Sequence, residues 1–121
     1  NCFKSGIVAY DNEIKKELLG VHKKTLEENG AVSNKTAVEM IHGLFNLTNI
    51  DIAIATTGIA GPTGGSEQKP VGTIYIAIGE KNKWIKTKKY QFKGNRELVM
   101  KKTVSYALGL LWRKLKYNKF D

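Results

Sequence analysis

The chain is poor in the residues that carry metal, disulfide and general-base histidine chemistry. Its 121 residues include one cysteine, Cys2, and two histidines, His22 and His42. A single thiol excludes an internal disulfide and a cysteine metal cluster. That usage fits a reducing compartment, and a cytoplasmic location is expected. Two histidines are too few for a histidine-based metal site, and no HExxH, CxxC or Walker A pattern occurs. No metal and no cofactor are therefore expected. No apolar run approaches the ~20 residues of a membrane helix, so no membrane partner is expected. Acids are scarce in one place only. Residues 1–80 hold seven lysines against nine acids, whereas residues 81–121 hold thirteen basic residues against two acids. A basic half invites a nucleic-acid reading. However, eighteen of the twenty basic residues are lysines, which make no bidentate forks to bases. Without a helix-turn-helix, zinc-finger or RNP signature, nucleic acid is not the expected partner. His22 and His42 lie in polar or helical settings and read as structural or exposed.

Prolines are equally rare, and both fall in one segment. Thr57-Gly58-Ile59-Ala60-Gly61-Pro62-Thr63-Gly64-Gly65 continues into Lys69-Pro70-Val71-Gly72. Four glycines and a proline after a strand cost backbone entropy. They suit a backbone that turns left-handed or approaches a ligand, and freed amides there form an anion-binding concavity. A long hairpin connection is the plainer reading of the same residues. The accompanying Thr57, Thr63, Ser66, Glu67 and Lys69 favour a ligand site.

The rest of the chain reads as alternating helices and strands in one domain, residues 1–121, long enough for a real core. Gly6–Tyr10 has strand character, followed by a cap at Asp11-Asn12 and a helix over 13–19 that Gly20 stops. A second short helix spans 21–29. Ser33 caps a helix whose Ala37, Met40, Ile41, Leu44 and Phe45 share a face. Strands are predicted over 50–57, 71–78 and 84–92. The first should be covered on both faces after Asp51, and the third is an edge strand guarded by Lys86, Lys88 and Lys89. Asn95 caps a last helix whose Val104, Ala107, Leu108, Leu111, Trp112 and Leu115 form a stripe, with Trp112 and Leu115 as core anchors. The expected fold is α/β, a three-layer α/β/α arrangement with a mixed sheet.

Three segments at strand ends carry chemistry. Tyr10 stands at a strand end and Lys15 one turn into the next helix; a desolvated lysine loses its proton readily and serves as a base. The glycine loop is the second. Lys93-Gly94-Asn95-Arg96 is the third, where a helix start and an arginine favour an anion. In an α/β sheet such ends form one pocket when they lie on one side. Packing of Tyr10 and solvation of Lys15 is the plainer alternative.

At these residues the chain resembles a known family. Gly6 through Lys15 with Leu18-Leu19-Gly20-Val21, then Gly30-Ala31-Val32-Ser33, then Thr57 through Thr73, and finally Gly94-Asn95-Arg96 are similar to the ordered blocks of the C-terminal domain of the competence/damage-inducible CinA proteins. That family includes nicotinamide mononucleotide deamidases. The resemblance implies hydrolysis of nicotinamide mononucleotide to nicotinic acid mononucleotide and ammonia, without a metal, in pyridine-nucleotide salvage. It implies Lys15 as general base and Tyr10 as proton relay or orienting group. It implies that Thr57, Gly58, Ala60, Gly61 and Gly64 hold the nucleotide and polarise the amide, and that Arg96 binds the phosphate. A homo-oligomer is also implied. The family's serine nucleophile lies in an Ala-Glu-Ser-Cys-Thr-Gly-Gly segment that these 121 residues do not contain. The domain is therefore expected to be N-terminally truncated relative to the family. The start, Asn1-Cys2-Phe3-Lys4-Ser5, has neither an initiator methionine nor a signal pattern, which points to a fragment or processed product. Two other functions stand beside the hydrolase: an inactive nucleotide-binding or oligomerisation module, and a basic nucleic-acid module.

Overall fold

A computed structural model describes residues 2–121. The elements are α1 (Asn12–Glu17), α2 (Lys23–Asn29), α3 (Asn34–Leu47), β1 (Ile52–Gly58), β2 (Thr73–Glu80), β3 (Trp84–Gln91) and α4 (Arg96–Tyr117). Local chemistry sets the helix starts. Asp11 accepts from the Ile14 amide, Ser33 from the Thr36 amide and Asn95 from the Leu98 amide, each satisfying a donor that the first helical turn leaves open.

The α/β class and the layering are present. The sheet order is β1-β2-β3. Alternating residues of β1 and β2 feed two cores. Ala53, Ala55 and Ala77 face Ala37, Met40, Ile41 and Phe45 of α3. Ile74, Ile76 and Ile78 face Val99, Ala107 and Leu110 of α4. The three strands pair antiparallel throughout, with Ile54 opposite Ile78 and Ile76 opposite Lys88. The expected mixed sheet is thus antiparallel among the described residues. The glycine loop folds β1 straight back onto β2 as a hairpin connection, so no crossover is needed.

Three further expectations are corrected. Gly6–Tyr10 forms no strand among the described residues, because no neighbour supplies a ladder for its amides. Its alternation survives as packing: Ile7 and Ala9 are half-buried against the α3-side core, while Val8 and Tyr10 are 86% and 85% exposed. Trp112 and Leu115 are not core anchors. They are more than half exposed, as are Val104 and Leu108. The buried arc of α4 is Val99, Thr103, Ala107 and Leu110, rotated from the stripe read in the sequence. The sheet covers that arc and leaves Val104, Leu108, Trp112 and Leu115 on the open side of the helix. Finally, β1 is fully covered on one face, where Ala53, Ala55 and Thr57 are buried, and only partly on the other, where Ile54 packs half-buried against the α4-side core and Thr56 is exposed.

Glu39 ties α2 to α3. Its carboxylate accepts from the His22 amide at 2.8 Å and the Thr25 hydroxyl at 2.6 Å, and lies 2.8 Å from His22 Nδ1. Burial alone would raise its pKa, but the bonds from Thr25 and His22 outweigh burial and hold it below the usual carboxylate value. A depressed folded pKa stabilises the fold above the unfolded value near 4.5, and that stability is lost as pH falls through the folded pKa. Glu39→Gln is expected to lower stability at neutral pH by about 1 kcal/mol, the size of a lost cap, and to flatten the acid side of the melting curve. Melting temperatures from pH 6 to pH 3 check this; parallel curves for both proteins would contradict it.

Candidate active site

One cleft of about 830 Å³ runs between the N-terminal segment, β1 with the glycine loop, and the exposed side of α4. Tyr10, Lys15, Thr57, Gly58, Ala60, Gly61, Gly64 and Arg96 all line it. The three strand-end segments picked out in the sequence therefore meet at one place.

Lys15 is the unusual member. It is the buried residue of α1, 7% exposed, and its Nζ donates to the Ala9 carbonyl at 2.7 Å. Desolvation lowers its pKa from the ordinary 10.5, and the nearby Asp11 carboxylate opposes that shift only in part. A neutral amine has one lone pair, and the Ala9 bond leaves it free to accept a proton. The position is set by Asp11: the α1 cap fixes the helix start, which places Lys15 on the inward side four residues later. Tyr10 extends from the same segment with its ring largely in solvent.

The glycine loop is held at three points. The Thr57 hydroxyl donates to the Ala31 carbonyl at 2.7 Å, Lys69 Nζ to the Asn29 carbonyl at 2.6 Å, and Arg96 Nη1 to the Gly61 carbonyl at 3.0 Å. Gly58 has no room for a side chain, since a Cβ would stand 2.2 Å from Ile74 Cδ1 and 2.8 Å from the Thr73 carbonyl oxygen. Gly61 and Gly64 take φ of 90° and 95°, a left-handed backbone that other residues rarely adopt. The hydrogen bonds that close the loop run from the amides of Ile59, Ser66, Lys69 and Gly72. The amides of Ala60, Gly61, Thr63 and Gly64 take no part in them and are available to an anion. Arg96 is the first residue of α4, so the same side chain clamps the loop and brings a cation to the cleft.

Two features were not read from the sequence. Thr57 serves as a loop anchor through its hydroxyl, whereas its neighbour Thr56 is exposed to the cleft. The α4 wall holds Thr103, Val104 and Leu108; Val104 and Leu108 belong to the stripe read in the sequence, whose helical spacing marks a face without saying what that face meets. Among the described residues, no three His, Cys, Asp or Glu side chains converge to hold a metal ion, and no helix is long and apolar enough to cross a membrane.

Comparison with known proteins shows the family to which the chain is similar. The family described as the CinA C-terminal domain matches residues 1–115. A CinA-like protein of Leptospira biflexa serovar Patoc is 46% identical over 114 residues, which cover 94% of this chain and 27% of that protein. A CinA-like protein of Endomicrobium trichonymphae is 49% identical over 113 residues, 93% of this chain and 26% of that protein. The chain thus spans about a quarter of the length of these curated relatives. The crystal structure of a competence-damaged protein (CinA) superfamily protein from Enterobacter cloacae superposes with a TM-score of 0.87 at 34% identity, over 92% of this chain and 65% of that chain.

Proposed function

The chain belongs to the CinA C-terminal domain family, and on that premise we propose that its cleft serves the hydrolysis of nicotinamide mononucleotide to nicotinic acid mononucleotide and ammonia. The observation that carries the proposal is Lys15. A buried lysine with a lowered pKa stands in the wall of the cleft that the glycine loop and Arg96 also line. Such a group is suited to general-base work.

In this reading the phosphate lies toward Arg96 and the carboxamide oxygen toward the free loop amides, which stabilise the charge that develops on it. Neutral Lys15 takes the proton from the attacking hydroxyl as its oxygen bonds to the carboxamide carbon. The protonated lysine then returns that proton to the leaving nitrogen as the C–N bond breaks, and ammonia departs. Tyr10 orients or relays the proton. The resemblance implies a serine for that hydroxyl, in a segment that these 121 residues do not contain; with this chain the attacking hydroxyl is that of a water molecule, and its single attack releases the acid as ammonia departs.

The test is incubation of the full chain with nicotinamide mononucleotide. Equimolar ammonia and nicotinic acid mononucleotide are expected. Nicotinamide riboside, which lacks the phosphate, should react at least tenfold more slowly in kcat/KM. Equal turnover of the two would remove the phosphate from the reading, and nucleotide binding without ammonia would mark a binding module instead.

A further inference from the structure

The basic half of the chain folds into one face whose cations stand among aromatic rings. Composition alone favours a solvated surface for lysines, but the fold adds an arrangement. Alternate residues of a strand share a face, about 6.8 Å apart. On the edge strand β3, Lys88 and Lys86 lie opposite Ile76 and Ile78, which pack toward α4. Trp84 and Tyr90 belong to the same set and rest half-buried on the α4-side core. The α4-facing side of β3 therefore reads aromatic, cation, cation, aromatic.

The neighbouring flank of α4 repeats the mixture. Tyr106 places its ring centroid 4.9 Å from both Tyr90 and Phe92, which stack on each other at 5.1 Å. These contacts hold the Tyr106 ring in place while the residue stays 44% exposed. Lys102 stands one turn before it, and Arg113 lies two turns beyond on the same flank. Burial pushes the Tyr90 hydroxyl above its ordinary value, and the nearby Arg113 charge opposes that shift. The Arg113 Nη2 donates to the Asp121 carbonyl at 3.2 Å, but its buried Nε has no hydrogen-bond partner among the described residues. Lys114 Nζ closes the far end, 4.9 Å from the centre of the Trp84 ring.

Acids leave this face almost untouched. Residues 81–121 contain only Glu97 and Asp121, and Glu97 pairs with Lys101 at 3.1 Å. Among the described residues, no carboxylate forms an ion pair with Lys86, Lys88, Lys102 or Arg113. None of these four, nor Tyr90 or Tyr106, lines the cleft.

We infer that this face binds single-stranded nucleic acid, with the lysines and Arg113 following phosphates and Tyr106 stacking on a base. Unpaired cations match a polyanion in charge. A fixed, part-exposed ring beside them matches a polyanion that also carries planar groups, and stacking of this kind tolerates any base. A duplex keeps its base faces covered and would leave the ring idle. A lipid surface calls for exposed aliphatic side chains, and those of α4, Val104, Leu108 and Leu115, stand on its other flank.

Fluorescence anisotropy of the full chain with a labelled oligothymidylate of about 15 nucleotides tests this, a length that covers such a site. Binding is expected, with log K falling against log salt at a slope of about −2 to −3, as for three or four phosphate contacts. Replacing Lys86→Gln and Lys88→Gln together should weaken binding roughly tenfold at low salt and flatten the slope by about 1.4. Tyr106→Leu should weaken it by about fivefold or more and leave the slope unchanged. Lys23→Gln with Lys35→Gln removes the same charge from α2 and α3 and should change affinity by less than about twofold, since distant charges are screened. The single strand should bind at least as tightly as a duplex of equal length, although the duplex has the denser charge.

A preference for the duplex, or an equal loss in the Lys23 and Lys35 pair, would reduce the effect to net charge and overturn the inference. So would a slope that the Lys86 and Lys88 pair does not move, or no binding at low salt. Tighter binding to phosphatidylglycerol vesicles, lost in the Lys86 and Lys88 pair, would make the partner a lipid surface and overturn it too. Each outcome is independent of ammonia release in the cleft.

Discussion

Lys15→Met should reduce ammonia release from nicotinamide mononucleotide by roughly 10²–10⁴-fold, the range that general acid–base groups contribute. Methionine keeps the length and apolar stem of the side chain and removes the amine, so packing in the buried position is retained. The Ala9 carbonyl loses its donor, a modest loss at the edge of the fold. Nucleotide affinity should change less than threefold, because the amine acts on the proton of the nucleophile and not on the phosphate. A loss confined to kcat separates this role from a structural one. A second readout is independent of turnover. Burial lowers the folded pKa of Lys15, so the unfolded chain binds the extra proton between that value and 10.5. Across that window stability rises with pH, and it is lost as pH falls toward the folded pKa. The methionine variant should lack this component of the melting curve. Turnover within twofold of wild type would end the assignment of Lys15 as base.

Arg96→Ala should weaken nucleotide binding by about 10- to 100-fold, corresponding to the loss of one or two hydrogen bonds to charged groups at about 1.5–3 kcal/mol each, less their compensation by water. Two losses combine. The Gly61 carbonyl gives up the Nη1 bond that clamps the glycine loop to α4, and the phosphate loses its cation. Arg96→Lys should not restore affinity. A single ammonium cannot hold the loop carbonyl and present a planar fork to a phosphate together. The effect should fall on KM more than on kcat. An unchanged KM in the alanine variant would remove Arg96 from the phosphate position and leave it as a loop clamp.

Local chemistry was the most legible part of the chain. Asp11, Ser33 and Asn95 act as caps where side-chain oxygens precede helix formers, because a cap is decided within four residues. Gly20 and Gly30 take φ of 69° and 79° just past the helices that they close, as a helix end favours. Strand ends drifted by about two residues, since β1 and β2 are bounded by pairing with each other and not by their own composition. Two readings depended on tertiary partners. Gly6–Tyr10 has the alternation of a strand but no ladder, and alternation reports which side packs without reporting who pairs. Trp112 and Leu115 lie at helical spacing on α4, yet the narrow sheet covers a different arc. The cleft was legible at its strand ends, where glycines and unlike polar groups cluster without need of packing. Its α4 wall was not, because Val104 and Leu108 look the same whether they face a core or a groove. The clamps from Thr57, Lys69 and Arg96 to backbone carbonyls were hidden as well, since any residue supplies a carbonyl and only the fold selects which.

The pH dependence of kcat/KM for ammonia release from nicotinamide mononucleotide tests the central claim most directly, that a neutral lysine in this cleft takes the proton of the nucleophile. The account predicts an ascending limb with its midpoint below the ordinary lysine value of 10.5, present in the wild type and absent from the residual rate of Lys15→Met. A limb that rises only in the ordinary lysine range, or no ammonia at any pH, would contradict it.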